Sequence, residues 1–381
     1  MIFCRQREIP LFRLLGAILI AQVILWLTAV CVFAVPEETA APETSPPQEV
    51  RIVVAGDIIT HMPLVKSAYR AKTKDYDFAP VFAEIAPLLK GADLTLANLE
   101  TTFANDRKYT GYPRFNAPSQ LAGSLKQAGF NLLVTANNHS LDYGEKGVRQ
   151  TLKVLADAGL QPLGTAPDEK SRKPCLIEKK GIKIGLLAYT CLTNNRKVPK
   201  GKDYLLNVFN RARAARDLDD LRERGAELIL CYLHFGEEYQ RYPSKTQVEI
   251  VDFLQQKGVD IVLGSHPHVV QPGAFSSDKS KLAVYSLGNL ISCQRSNFTD
   301  VGVLVDIRVV KEQNKVRVAE VDYVPTYVSA KWVKNQPTYK IRIAKNIDRY
   351  LTRRYAKQLD YQSKSFHKDM LAHLTSGLRR D

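Results

Sequence analysis

Val259-Asp-Ile-Val-Leu-Gly-Ser-His-Pro-His268 is a short apolar run that stops in a polar turn carrying two imidazoles. A run of this length, rich in β-branched residues and ended by glycine, reads as a buried strand. Just before it, residues 244–257 place apolar side chains at helical spacing and predict a helix. The same alternation continues in both directions. Upstream, 227–233 (ELILCYL) and 182–189 (IKIGLLAY) read as strands, with a helix across 207–224 between them. Further upstream come a helix over 144–158 ended by Gly159, a strand over 130–135 (FNLLVT) and a helix over 118–128. Before these lie a short strand at Leu94 to Ala97, a helix over 79–90 ending at Gly91 and a strand at Val50 to Ala55 (VRIVVA). Downstream, 282–287 is a strand, and 301–310 with 315–324 form an antiparallel hairpin turning near Glu312 to Asn314. Strands alternating with helices predict an α/β domain around central buried sheets.

The chemistry is carried by the residues at the strand ends. Of seven histidines, five fall in polar motifs placed after predicted strands. Gly56-Asp57 and His61 follow the first, Asn98-Leu99-Glu100 the second, and Asn137-Asn138-His139 with Asp142 the third. His234-Phe235-Gly236-Glu237-Glu238-Tyr239 and Gly264-Ser265-His266-Pro267-His268 follow two later strands. The carboxyl ends of strands in an open α/β sheet converge on one crevice. A single histidine there is usually structural, but five motifs rich in Asp, Glu, Asn and His gather donors that packing alone does not need. Imidazole, carboxylate and amide oxygen suit divalent manganese, zinc or iron, and the lack of thiolate argues against a structural zinc site. Two ions sharing a carboxylate would need about this many ligands and would activate a water.

Composition frames the rest. The 381 residues are 45% hydrophobic and 24% charged, which excludes a wholly disordered chain and a polytopic membrane protein. Arg5, Arg7 and Arg13 precede an apolar run from Leu14 to Val35, long enough to span a bilayer, with Glu37 and Glu38 after it. Residues 1–35 are therefore read as a transmembrane anchor, with a cleaved signal segment as the alternative, and the domain outside the cytoplasm. Residues 36–49 are a Pro/Glu/Thr linker, 50–330 the domain, and 331–381 a basic segment expected to be helical over 340–374. Thirteen Lys/Arg against four Asp place +9 of the net +15 in that last segment. Such a surplus suits a polyanion or a membrane surface, and the outward orientation makes nucleic acid a poor partner. Cys175, Cys191, Cys231 and Cys293 match no zinc or redox spacing and read as buried free thiols.

The ordered motifs Gly-Asp, Asn-Leu-Glu, Asn-Asn-His, His-x-Gly-x-Glu-Tyr, Gly-Ser-His-Pro-His and Ser286-Leu287-Gly288-Asn289 resemble the CapA family of poly-γ-glutamate capsule synthesis. The resemblance runs from about Arg51 to Leu290. It implies a metallophosphoesterase-like β-sandwich flanked by helices (α/β/β/α), with a dinuclear metal site at its edge and an N-terminal anchor. Carried over by position, it implies that Asp57 binds the first metal and Glu100 bridges. Asn138, His234 and His266 bind the second, and His268 returns to the first. His139 is implied as general acid, with Asp142 orienting it, while Glu238 and Tyr239 take supporting or substrate roles. The resemblance also implies an acidic polymer such as poly-γ-glutamate and membrane-embedded synthesis or export proteins as partners. Two departures stand out. The Asp-x-His of the phosphoesterases is replaced by Asp57-Ile58-Ile59, with His61 as the nearest histidine, and glutamate stands for the bridging aspartate. Both make plain phosphomonoesterase activity doubtful and leave amide chemistry open. A non-catalytic polyanion-binding accessory and an envelope phosphoesterase are the alternative functions.

Overall fold

The protein is described from a computed structural model at residues 48–104, 107–276, 280–296, 298–333 and 336–344. The expected membrane segment, most of the linker and the tail from 345 onward lie outside the described residues. Among the described residues, no helix is long and apolar enough to cross a membrane.

Strand β1 (Gln48–Ile58) leads through α1 (Met62–Ala68), the small strands β2 (Tyr69–Arg70) and β3 (Asp75–Tyr76), and helices α2 (Ala79–Phe82) and α3 (Ala86–Lys90). Next come β4 (Leu94–Leu99), α4 (Gln120–Ala128), β5 (Leu132–Val134), α5 (Gly144–Asp157) and β6 (Gln161–Leu163). The second half begins with β7 (Cys175–Lys179), β8 (Ile182–Thr190), α6 (Arg211–Glu223), β9 (Leu228–His234), α7 (Lys245–Gln256) and β10 (Ile261–Ser265). It closes with β11 (Val270–Phe275), β12 (Leu282–Leu287), β13 (Asn289–Ile291), β14 (Val301–Glu312), β15 (Lys315–Val333) and β16 (Gln336–Ile343).

These strands form two main sheets. One runs β16-β15-β14-β1-β4-β5-β6, with β13 also paired to β1, and the other runs β11-β12-β10-β9-β8-β7. Strands β1, β4, β5 and β6 are mutually parallel, as are β8, β9, β10 and β12. Parallel strands are buried on both faces, which is why they read as near-continuous apolar runs. The pleat divides each run between two cores. Ile52 and Val54 point between the sheets, where they meet Ile184, Leu230 and Leu263. Val53 and Ala55 point outward to Phe82, Leu89 and Leu125 of the first helix layer. On the far side, Leu187, Ile229 and Cys231 pack against Leu218, Leu221 and Leu254 of α6 and α7. The layers are thus helix, sheet, sheet, helix. Truncating one of the inner residues, such as Leu230→Ala, would cost about 2–5 kcal/mol.

Two expectations are corrected. The helix over 79–90 is broken at 83–85, because Pro80 and Pro87 each open a separate short helix. The boundary at 330/331 falls inside β15, and 336–343 is not helical but pairs antiparallel with β15. Its charges mask a period of two: Tyr339 and Ile341 are buried, whereas Lys340 is exposed and Arg342 only partly covered. The four internal cysteines are free thiols as expected, but of the four only Cys231 is buried, while Cys175, Cys191 and Cys293 are half-buried.

Candidate metal centre

Parallel pairing lines up the polar strand ends. In the first sheet Asp57 lies opposite Asn98. In the second, His234 lies between Thr190 and Ser265. Glycine lets the backbones close on this edge. A Cβ at Gly56 would overlap the carbonyl oxygen of Gly288, which accepts the Asp57 amide at 3.0 Å. Asp57 is wholly buried, and its carboxylate is well partnered. Oδ1 accepts from Asn98 Nδ2 at 2.7 Å, and Oδ2 accepts from the His266 amide at 3.3 Å and faces His268 Nδ1 at 3.2 Å.

Glu100, one residue beyond β4, is different. Its Oε1 stands 3.9 Å from both His234 Nε2 and His268 Nε2, and 4.0 Å from His139 Nε2. Oε2 is buried with no hydrogen-bond partner among the described residues. Glu100 belongs to two sets whose donor atoms lie within 4.8 Å of one another, Asp57–Glu100–His268 and Glu100–His234–His266. Asn138 Oδ1 joins the second at 3.0 Å from His234 Nε2, which is also 3.1 Å from His266 Nδ1. The exposed Glu238 makes a further set with His266 and His268.

Burial, with Asp57, Glu238 and Asp142 nearby, holds the Glu100 carboxyl well above the ordinary carboxylate range. Burial and neighbouring histidines push His234 well below its ordinary value and His266 down to about 3. His234 and His266 are therefore neutral at pH 7, with lone pairs to give, beside a Glu100 oxygen that has no partner among the described residues. That donor set, with a buried oxygen left without a partner, fits divalent cations.

His139 sits where β5 passes into the next turn. Asn137 shapes that turn, donating to Asn98 Oδ1 at 3.1 Å and to the Leu99 carbonyl at 2.8 Å while accepting the His139 amide at 3.1 Å. His139 Nδ1 meets Asp142 Oδ2 at 2.8 Å, so Nε2 is the atom turned toward Glu100. Asp142 is itself held: Oδ2 accepts the Phe115 amide at 2.8 Å, and Arg114 grips its carbonyl at 2.6 and 2.9 Å. Arg196 Nε lies 3.5 Å from Asp142 Oδ1, and the Phe115 ring meets His139 edge-on at 4.6 Å.

The structure thus brings together Asp57, Glu100, Asn138, His139, Asp142, His234, His266 and His268. It adds Asn98, Asn137, Phe115, Arg114, Arg196, Ser265 and Asn289, the last with Oδ1 at 3.2 Å from His268 Nδ1. Asn98, Asn137, Ser265 and Asn289 stood in the motifs and were readable there. Arg114, Phe115 and Arg196 come from segments without period or motif and carried no signal. His61 belongs to none of the donor sets found among the described residues. His266, His268 and Tyr239 all have left-handed backbone, with φ of 101°, 58° and 66°. Such strain costs roughly 1–3 kcal/mol per residue. The Tyr239 amide, bonded to the Pro267 carbonyl at 2.8 Å, fastens the two turns to each other.

The family model described as bacterial capsule synthesis protein PGA_cap matches residues 51–294. The chain is 29% identical over 273 residues to the capsule biosynthesis protein CapA of Bacillus anthracis, covering 68% of this chain and 63% of that one. It is 24% identical over 245 residues to the PGA biosynthesis protein CapA of Bacillus subtilis, covering 61% of each. The matches thus span somewhat under two thirds of these relatives' length. Among solved structures, the calcineurin-like phosphoesterase YfkN of Bacillus subtilis aligns with a TM-score of 0.47 at 15% identity, covering 86% of this chain and 99% of that one.

Proposed function

The chain belongs to the bacterial capsule synthesis protein family, and on that membership and the chemistry of the buried cluster we propose a metal-dependent hydrolase of capsule polymer synthesis or export. The observation that carries this reading is Glu100, a buried carboxylate shared by two donor sets with one oxygen left unpartnered. Asp57, Glu100 and His268 would hold one divalent ion, and Glu100, His234, His266 and Asn138 a second. When bound, such ions supply Lewis-acid charge and an activated water.

The chain's own groups do the rest. Asp142 fixes the His139 ring through Nδ1, which leaves Nε2 to carry a proton to the leaving group. Arg114 and the Phe115 amide keep Asp142 from turning away. The substrate in this reading is an acidic envelope polymer such as poly-γ-glutamate, cut at an amide bond. The anchor at 14–35 would keep the domain outside the cytoplasm, beside membrane-embedded synthesis or export partners.

The test is metal analysis of the full-length chain together with hydrolysis of poly-γ-glutamate. His139→Ala is expected to keep the metal and lose turnover, and His266→Ala to lose both. A wild-type chain that takes up no divalent metal would sink the reading. The +9 surplus of residues 331–381 favours a second reading, a non-catalytic accessory that binds the nascent polyanion. In that case charge reversal in the tail abolishes polymer release, whereas the His139 and His266 variants leave it intact. Turnover of a generic phosphodiester instead of the polymer would mark an envelope phosphoesterase.

A further inference from the structure

His61 is half-buried and stands at the start of α1. Its backbone is pinned: the carbonyl accepts from the Leu64 and Val65 amides at 3.0 and 3.2 Å, and just before it the Ile59 amide bonds to Ile291 at 2.9 Å. Its ring is pinned as well. Nδ1 accepts the backbone N–H of Cys293 at 3.3 Å, and the ring meets Phe115 edge-on at 5.3 Å. Phe115 in turn meets His139 edge-on, so one phenylalanine sets both imidazoles against the same wall.

The Cys293 contact fixes the tautomer. A backbone amide can only donate, so Nδ1 is bare and a neutral ring carries its proton on Nε2. Burial, with His268 and His139 close by, lowers the His61 pKa to about 4 and keeps the ring neutral at pH 7. Metal ligation through Nε2 would force the proton onto Nδ1 and set two N–H groups head-on. Among the described residues, no acceptor for Nε2 is found. We infer that His61 is a fixed neutral donor whose Nε2–H binds an oxygen of the substrate's reacting group, and that it does not complete the metal set. A donor placed in advance, where negative charge develops on oxygen, stabilises that charge without reorganisation.

The inference rests on the metal-centre reading, and its test separates the two. The full-length chain, with histidine labelled by nitrogen-15, is studied metal-free and loaded with zinc, and inorganic phosphate serves as the oxyanion probe. His61 is expected to show the Nε2–H tautomer in both states. His61→Asn keeps an oxygen to accept from Cys293 and leaves no donor at the reach of Nε2. It should bind zinc at the wild-type stoichiometry and lose phosphate affinity roughly 10- to 100-fold. His61→Gln returns an amide donor at about the reach of Nε2 and should recover part of that loss. Zinc lost in His61→Asn, an Nδ1–H tautomer in the zinc-loaded chain, or unchanged phosphate affinity in His61→Asn would each overturn the inference and leave the proposed function standing. A wild-type chain that takes up no divalent metal, zinc or manganese, overturns both.

Discussion

Glu100 and Asp57 are both buried carboxylates of one cluster, yet neutralising them should move stability in opposite directions. Glu100 is only 1% exposed, and among the described residues its Oε2 has no partner and its Oε1 is no closer than 3.9 Å to any imidazole nitrogen. Without metal, the folded state bears the cost of this group whether it stays charged or takes up a proton. An unsatisfied buried polar group costs about 1–3 kcal/mol, and more when charged. Glu100→Gln keeps the shape and an unpaired polar group but removes the charge, so the metal-free variant should be more stable than wild type by the added cost of that charge, about 1–3 kcal/mol. At about 2 °C per kcal/mol for a unit of this size, Tm rises by ~2–6 °C. Asp57 instead accepts from Asn98 and the His266 amide, so Asp57→Asn forfeits charge-assisted bonds and should lose about 1.5–3 kcal/mol. Saturating manganese should close the Glu100 gap and, over most of that range, reverse it. At a hundredfold excess over Kd it stabilises wild type by about 2.7 kcal/mol and leaves Glu100→Gln where it was. Calorimetry of the three chains, with chelator and with manganese, reads all of this. A metal-free Glu100→Gln chain less stable than wild type, or one stabilised by manganese as strongly as wild type, would refute the reasoning.

In metal-free Glu100→Gln, stability should fall as pH drops from 6.5 toward 4. His266 and His61 have folded pKa values of about 3 and about 4, below the ordinary 6.5, so their contribution is complete above 6.5 and lost on acidification. Each removes at most about 1.4 kcal/mol per pH unit. In wild type Glu100 works the other way: its folded pKa is raised, so stability is complete below the ordinary value of 4.5 and lost as pH rises through the folded pKa. The wild-type slope in urea unfolding between pH 7 and 5 should therefore be the shallower, and equal slopes would contradict the assignment. Gly56→Ala, with its methyl driven into the Gly288 carbonyl, should destabilise by about 3 kcal/mol or more and weaken manganese uptake by shifting Asp57, both measurable by titration. Asp142→Asn should leave metal content unchanged and lower polymer hydrolysis about 100-fold or more; loss of metal would show that Asp142 belongs to the ligand set.

The site was legible in the sequence because parallel strands announce themselves and their ends are punctuated. Asp57, Glu100, His139, His234 and His266 each follow a short apolar run, and parallel pairing leaves those ends on one edge of each sheet. That the two edges meet is a property of sheet packing, which no local pattern records. The shell around His139 was hidden for the same reason. Arg114 and Phe115 reach Asp142 from a segment with no periodic signal, 28 and 27 positions earlier in the chain. The fold was less legible where charge and period conflicted. Lys340 and Arg342 drew the eye to a basic helix, while Tyr339 and Ile341 between them recorded a strand. The helix over 79–90 failed on two prolines whose capping role shows only once the chain turns.

The two sheets each supply half of the donor set. Asp57, Glu100 and Asn138 come from the first, and His234, His266 and His268 from the second, with Asp57 and His266 separated by 209 positions in the chain. No local stretch can therefore gather the whole set before the sandwich has closed. Metal capture would then be an endorsement of completed assembly: a chain still threading its second half holds only part of either Glu100-centred set, and ions taken up by the full sets would latch the two halves at this edge.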